Sequence, residues 1–163
     1  MGATPTADDP LQSLYGAASL TLDGKGRIAI PARFRDVLLN GCGGEIVLTL
    51  HWQRPCLLLF PQPNWKPVQE KLANLPNTNE DVEDLQRFVL GYAMDTKMDG
   101  QGRILLPPEL RAEARMEKDV TMLGQLSKFE LWDTATLQEH RQASIKRDRS
   151  KPSGESPLAN LKI

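Results

Sequence analysis

The sequence predicts a mainly β protein with short helices: an α+β fold of two pseudo-symmetric β-β-α-β-β units, with linking and C-terminal helices. Three observations carry this reading. The sixteen residues LDGKGRIAIPARFRDV, Leu22 to Val37, return without a gap as MDGQGRILLPPELRAE, Met98 to Glu113, with seven identities. A chain that writes one unit twice builds a pseudo-symmetric fold. Each copy sets an Asp-Gly-x-Gly turn between short apolar segments and follows it with proline, the grammar of strand, turn, strand and helix. Each copy is then followed by two short apolar runs parted by turn residues, which read as a second pair of strands.

Residues 1–14 carry no periodic apolar pattern and read as a disordered extension. The first unit is expected over residues 15–61. Ala17–Leu22 and Arg27–Ile30 are its first strands, joined by the tight turn Asp23–Gly26. Pro31 suits the first position of a helix whose Phe34, Val37 and Leu38 share a face, and Gly41, Gly43 and Gly44 end it. Ile46–Leu50 and Cys56–Phe60 follow as strands around a His51–Pro55 loop.

Residues 62–91 hold two linking helices, one with Trp65, Val68, Leu72 and Leu75 at helical spacing, the other with Val82, Leu85, Phe88 and Val89. Pro76-Asn77-Thr78 marks the turn between them. Asn79 is the expected N-cap, followed by acids that suit the positive end of a helix. Residues 92–149 repeat the first unit. Ala93–Met98 and Arg103–Leu106 flank the second turn, Pro107-Pro108 opens a helix, and Val120–Leu123 and Phe129–Trp132 form the second pair. Asp133 or Thr134 caps a last helix running to about Arg149. Residues 150–163, with Pro152, Ser153, Gly154 and Pro157, read as a disordered tail.

The composition narrows the function classes. A chain of 163 residues with 40% hydrophobic and 25% charged residues is an ordinary soluble protein, large enough to bury a shared core. A net charge of −1 argues against coating nucleic acid by bulk charge, and leaves room for a locally basic face. No apolar run approaches the roughly 18 residues of a membrane span, and the first ten residues lack the basic-then-apolar order expected of a secretory signal. Met1 to Thr6 fits the myristoylation pattern only formally, with nothing membrane-directed beside it. Cys42 and Cys56 are too few for a disulfide framework, and with His51 they match no closed zinc spacing. No metal, cofactor or small-molecule ligand is expected. The phosphate loop G-x-x-x-x-G-K-[ST] is absent, and His51 and His140 stand in no nucleophile-and-base arrangement, so no enzyme is expected.

The informative positions are those at which the copies differ. Lys25 becomes Gln101 and Arg33 becomes Glu109, so residues 23–37 carry a net +2 and residues 99–113 a net −1. A turn needs neither lysine nor arginine. Lys25 and Arg27 at the tip are therefore candidate DNA contacts, lysine as a point charge and arginine as a planar fork for phosphate or guanine. Arg27 could instead pair with Asp23, as Arg103 could with Asp99. The candidate DNA-binding set is Lys25, Arg27, Arg33 and Arg35, with Gln101 and Arg103 as weaker contacts from the second copy. Arg141, Lys146, Arg147, Arg149 and Lys151 read as a solvated basic helix end, with phosphate contact or docking to a neighbouring subunit as the alternative.

Paired D-x-x-G-R-[IL]-x-[IL]-P units joined by two helices, the segment PCLLLFP at Pro55–Pro61 and KFELWD at Lys128–Asp133 together carry a resemblance. From Tyr15 to Gln142 the chain resembles the MraZ family of bacterial transcriptional regulators, whose half-domains are similar to the AbrB and SpoVT DNA-binding fold. The resemblance implies a double-split β-barrel and a ring-shaped homo-oligomer. It also implies binding to double-stranded DNA at repeated short G-rich boxes upstream of the division and cell-wall gene cluster, usually as a repressor. The corresponding location is cytoplasmic and nucleoid-associated. The family's contact motif falls on Lys25 and Arg27, and on Arg103 in the second copy. The extension before Tyr15 departs from the family pattern. A partner-binding, antitoxin-like module on the same barrel is the alternative reading.

Overall fold

A computed structural model describes residues 8–76, 79–147, 157–158 and 160–163 of the chain. The first repeat comprises β1 (Leu14–Thr21), β2 (Arg27–Ala29), α1 (Ala32–Cys42), β3 (Glu45–Leu50) and β4 (Leu57–Pro61). The linking helices are α2 (Gln62–Ala73) and α3 (Glu80–Leu85). The second repeat comprises β5 (Met94–Lys97), β6 (Arg103–Leu105), α4 (Pro108–Glu113), β7 (Asp119–Leu126) and β8 (Phe129–Asp133), and α5 (Thr134–Lys146) follows it. The expected β-β-α-β-β order is therefore present twice.

The pairing of the strands is less local than the sequence suggests. β1 and β2 do not pair across their tight turn. Instead β1 runs antiparallel to β7, from Leu14 opposite Leu126 to Thr21 opposite Asp119, and β2 pairs with β6. In the same way β5 leaves β6 and pairs with β3. A six-stranded antiparallel sheet results, in the order β1-β7-β8-β4-β3-β5, beside a two-stranded ribbon of β2 and β6. Exchanging the repeats reverses the strand order and leaves it unchanged, the signature of a pseudo-two-fold axis. Each strand-turn-strand segment is thus split between the large sheet and the ribbon, and each half finds its partner in the other repeat.

The core lies between these layers. Ile28 and Ile104 beneath the ribbon, Leu38 on α1, Leu48, Leu59, Met122 and Leu131 from the large sheet form one buried cluster. Phe34 meets Phe129 edge-on at 4.8 Å within it. Val47, Leu58 and Phe60 point the other way and pack against Trp65 and Val68 of α2. That second contact is why β3 and β4 are apolar almost throughout, with no polar face.

Three local expectations are corrected. The extension was expected to be disordered through residue 14, yet Pro10–Gln12 form a 3₁₀ turn, capped by Asp9 Oδ1 at 2.9 Å from the Leu11 amide. Leu11 is 2% exposed, and Leu14 already opens β1. Residues 1–7, with the myristoylation pattern, lie outside the described residues. Gly41 does not end α1 but lies inside it. A Cβ there would stand 2.8 Å from Leu11 Cγ, so its bare surface seats the leucine. Gly43, at φ +63°, makes the stop. The second linking helix is divided: α3 passes at Leu85 into a π turn over Gln86–Leu90, whose Val89 carbonyl accepts the buried Thr49 hydroxyl at 2.6 Å. Asn79 caps α3 as expected, its Oδ1 accepting the Val82 amide at 2.9 Å.

The last helix, expected to run to about Arg149, ends at Lys146, with Arg147 extended. Asn77 and Thr78 of the expected linker turn, Arg149 and residues 150–156 of the tail lie outside the described residues. Among the described residues no helix is long and apolar enough to cross a membrane.

Candidate nucleic-acid interface

The two turns are built by the same local chemistry. Asp23 Oδ1 accepts the amides of Lys25 and Arg27, each at 2.9 Å, and Oδ2 accepts Arg27 Nε at 2.8 Å. The Gly26 amide closes the turn on the Asp23 carbonyl at 3.0 Å, with Gly26 at φ +80°, a region open to glycine at little cost. Asp99 repeats every bond with Gln101, Arg103 and Gly102. The Arg27 amide, joined by the Arg27 side chain and the Lys25 amide, holds the Asp23 carboxyl down at about 2. Asp99 is likewise lowered, first by the Arg103 amide.

Arg27 therefore has a scaffold bond, but it is engaged through Nε. Among the described residues its two terminal nitrogens make no hydrogen bond, and the same holds for Arg103. Lys25 and Gln101 stand exposed at the turn tips, with no side-chain partner among the described residues.

The ribbon decides which way these residues face. Arg27 pairs with Leu105, Ile28 with Ile104 and Ala29 with Arg103. Both isoleucines are 0% exposed, so the alternation of a strand turns Arg27, Ala29, Arg103 and Leu105 outward together. Arg27 and Arg103 are diagonal neighbours on this face, about 7–8 Å apart at the backbone. Antiparallel pairing sends the two turns to opposite ends of the ribbon. One end carries Lys25, the other Gln101. Leu105, 52% exposed, sits among them, and with Ala29 it belongs to a face that charge reasoning alone had missed. The signal was available: these residues alternate with the buried isoleucines.

Arg33 and Arg35 are placed elsewhere. Arg33 Nη2 donates to the Ala17 carbonyl at 2.7 Å, and its guanidinium lies 4.5 Å over the Phe34 ring. It braces α1 against β1. Arg35 lies half-buried against the second turn, its Cδ 2.6 Å from where a Cβ on Gly102 would stand. Both were expected among the DNA contacts; the structure engages Arg33 with Ala17 and Phe34 and seats the Arg35 stem against Gly102. Arg141, Lys146 and Arg147 are exposed on and just beyond α5, while Arg149 and Lys151 lie outside the described residues.

His51 Nδ1 accepts the amides of Gln53 and Arg54 at 3.0 and 3.1 Å, which fixes the loop between β3 and β4. Burial lowers its pKa. Burial also raises both thiols, Cys42 and Cys56, which are unbridged. Among the described residues no group of three His, Cys, Asp or Glu side chains could hold a metal ion.

With this geometry established, comparison with known proteins adds the following. A family model described as "MraZ protein, putative antitoxin-like" matches residues 14–88 and again 89–156, so the family unit occurs twice, as the repeat requires. The chain is 48% identical over 120 residues to a "Transcriptional regulator MraZ" of Nitrosomonas europaea, covering 74% of this chain and 80% of that protein. It is 43% identical over 126 residues to the protein of the same description from Alkalilimnicola ehrlichii, covering 77% and 84% respectively. A third, from Thioalkalivibrio sulfidiphilus, is 42% identical over 148 residues, covering 91% of this chain and 98% of that one.

Proposed function

The chain belongs to the MraZ family, and from that premise we propose that it is a transcriptional regulator that binds double-stranded DNA through the outer face of the β2–β6 ribbon. The observation that carries this reading is the single outward face bearing Arg27 and Arg103, with Lys25 at one end. A two-stranded ribbon fits the major groove of B-DNA, and arginine terminal nitrogens can pair with guanine or phosphate there. Lys25, Arg27 and Arg103 are the contacting cations, Gln101 is the weaker mate of Lys25, and Leu105 and Ala29 supply the apolar floor. Arg33 braces α1 against β1, and Arg35 packs against the second turn. No catalytic step is assigned to any of these residues.

Three cations give little affinity alone, because each phosphate contact contributes only about 0.9 to the salt slope. The reading therefore includes a ring-shaped homo-oligomer that sets several ribbons on repeated short boxes, gaining avidity of about 10²–10⁴-fold. The strands β1 and β5, outermost in the sheet among the described residues, and a groove of about 1020 Å³ between α2 and β5 lined by Trp65, Lys66 and Met94 are the surfaces assigned to such an assembly. The proposed targets are boxes upstream of the division and cell-wall gene cluster, and the proposed output is repression, on the nucleoid in the cytoplasm.

Gel shifts against duplexes with one box and with several boxes test the reading. Binding that strengthens steeply with box number supports it. Equal affinity for both sinks the avidity argument, and a pull-down rich in one stoichiometric protein but free of DNA favours the antitoxin-like alternative.

A further inference from the structure

Of the two arginine positions shared by the repeats, the helical pair Arg35 and Arg111 each reach across the pseudo-two-fold axis onto the turn of the other repeat. The Arg111 guanidinium carbon lies 2.8 Å from where a Cβ on Gly26 would stand, and Arg35 Cδ lies 2.6 Å from the same point on Gly102. The two are not equivalent. Arg111 Nε donates to the Leu106 carbonyl at 2.8 Å, and the Leu106 amide donates to the Gly26 carbonyl at 2.9 Å. Helix α4, the end of β6 and the Lys25 turn are thereby closed into one circuit. On the other side the Ile30 amide bonds the Gly102 carbonyl at 2.9 Å, but Arg35 Nε is buried with no hydrogen-bond partner among the described residues.

We propose that Arg111 is a positioning residue for DNA contact: it fixes the turn that presents Lys25 and Arg27 from the opposite repeat, while Arg35 only fills space at the second turn. The part of this inference that concerns DNA rests on the function proposed above. The physical reason is geometric. Among the described residues the side chain of Lys25 has no partner to steer it, so its reach is set by the backbone beneath it. That backbone is bonded at Gly26 to Leu106, whose carbonyl Arg111 holds while its guanidinium packs on Gly26. A donor bonded at Nε fixes the plane of a guanidinium, whereas an unbonded one leaves it to packing alone. The shared arginine is thus a lock in one direction and a wedge in the other. A side chain on Gly26 would displace the Arg111 guanidinium as well as strain the turn at φ +80°.

The test is hydrogen exchange, read by mass spectrometry on the full chain, in Arg111→Met and Arg35→Met. Methionine keeps the stem and removes the donors. Arg111→Met is expected to lose amide protection over residues 22–27 and to keep it over 98–103, because the lost circuit serves one turn only. Arg35→Met, which removes an unpartnered buried N–H, is expected to leave both turns protected. Retained protection over 22–27 in Arg111→Met overturns the proposal. So does a loss over 98–103 in Arg35→Met as large as the loss in its counterpart. If Arg111→Met does not fold, Arg111→Lys keeps stem and charge but has no donor at the Nε position, and the same local loss is expected. DNA binding to a duplex from the region upstream of the protein's own coding sequence is read separately. A salt slope lowered by about 0.9 or more in Arg111→Met, as one or two contacts are lost, supports the positioning role. Lost protection with an unchanged slope overturns that role and leaves the lock itself standing.

Discussion

Asp23 holds Arg27 by two atoms at once: its Oδ1 accepts the Arg27 amide and its Oδ2 accepts Arg27 Nε. The arginine is therefore aimed by the turn it belongs to, and its terminal nitrogens are carried outward on a fixed stem. Arg27→Ala is expected to abolish DNA binding while the oligomer and the folded core remain. Arg27→Lys is expected to bind weakly, since lysine keeps the charge but neither the Nε bond nor the fork. Gel shift with parallel sedimentation checks both. A dissociated or unfolded Arg27→Ala would mean that the ion pair serves the scaffold alone.

The same bonds predict an acid limit for the turn. The folded Asp23 carboxyl is held at about 2, below its ordinary value of 3.8. A depressed carboxylate favours the folded turn above the unfolded value, and its contribution is lost as pH falls from about 4 through about 2. The carboxyl resonance of Asp23, followed by NMR, should titrate with a midpoint near 2 and be unchanged between pH 5 and 8. In Arg27→Ala the midpoint should rise, because one of the bonds that stabilise the charged form is gone.

The difference between Lys25 and Gln101 should appear directly in the salt dependence. Lys25→Ala is expected to lower the slope of log K against log salt by about 0.9 per ribbon engaged, and Gln101→Ala to leave it unchanged. Gln101→Lys should raise it by a similar amount and make the two ends of the ribbon alike. A larger effect of Gln101→Ala than of Lys25→Ala would remove the reason for ranking the ends.

Beneath the ribbon, Ile28 and Ile104 face each other and are wholly buried. Ile28→Ala and Ile104→Ala are each expected to cost about 2–5 kcal/mol, by lost burial and the cavity left behind. Because the pseudo-two-fold axis relates the two sites, the losses should be similar. Denaturant melts at matched protein concentration measure them.

How much of this was legible in the sequence follows from what is local. The Asp-Gly-x-Gly turns could be read because aspartate and glycine perform their roles within five residues. The repeat likewise announced a pseudo-symmetric fold. The pairing of β1 with β7 and of β2 with β6 could not be read in this way, since an alternating strand shows its faces but does not name its neighbour. For the same reason Arg35 looked like one more cation near a basic turn. Only the fold brings it under Gly102, far along the chain. Leu11 shows the converse case: a single leucine in a polar, proline-bearing stretch gives no periodicity, yet it finds its seat on Gly41. The outward pair Arg27 and Arg103 was half legible. Their types suggested DNA, and the ribbon register put them on one face.

The most direct measurement is a hydroxyl-radical footprint on the DNA upstream of the protein's own coding region, made with the intact chain and with the Lys25→Ala, Arg27→Ala double variant. The intact chain should protect short repeated segments, and the variant, at the same oligomeric state, should protect none of them. Equal protection by both proteins would contradict the assignment of the β2–β6 ribbon as the DNA-binding face.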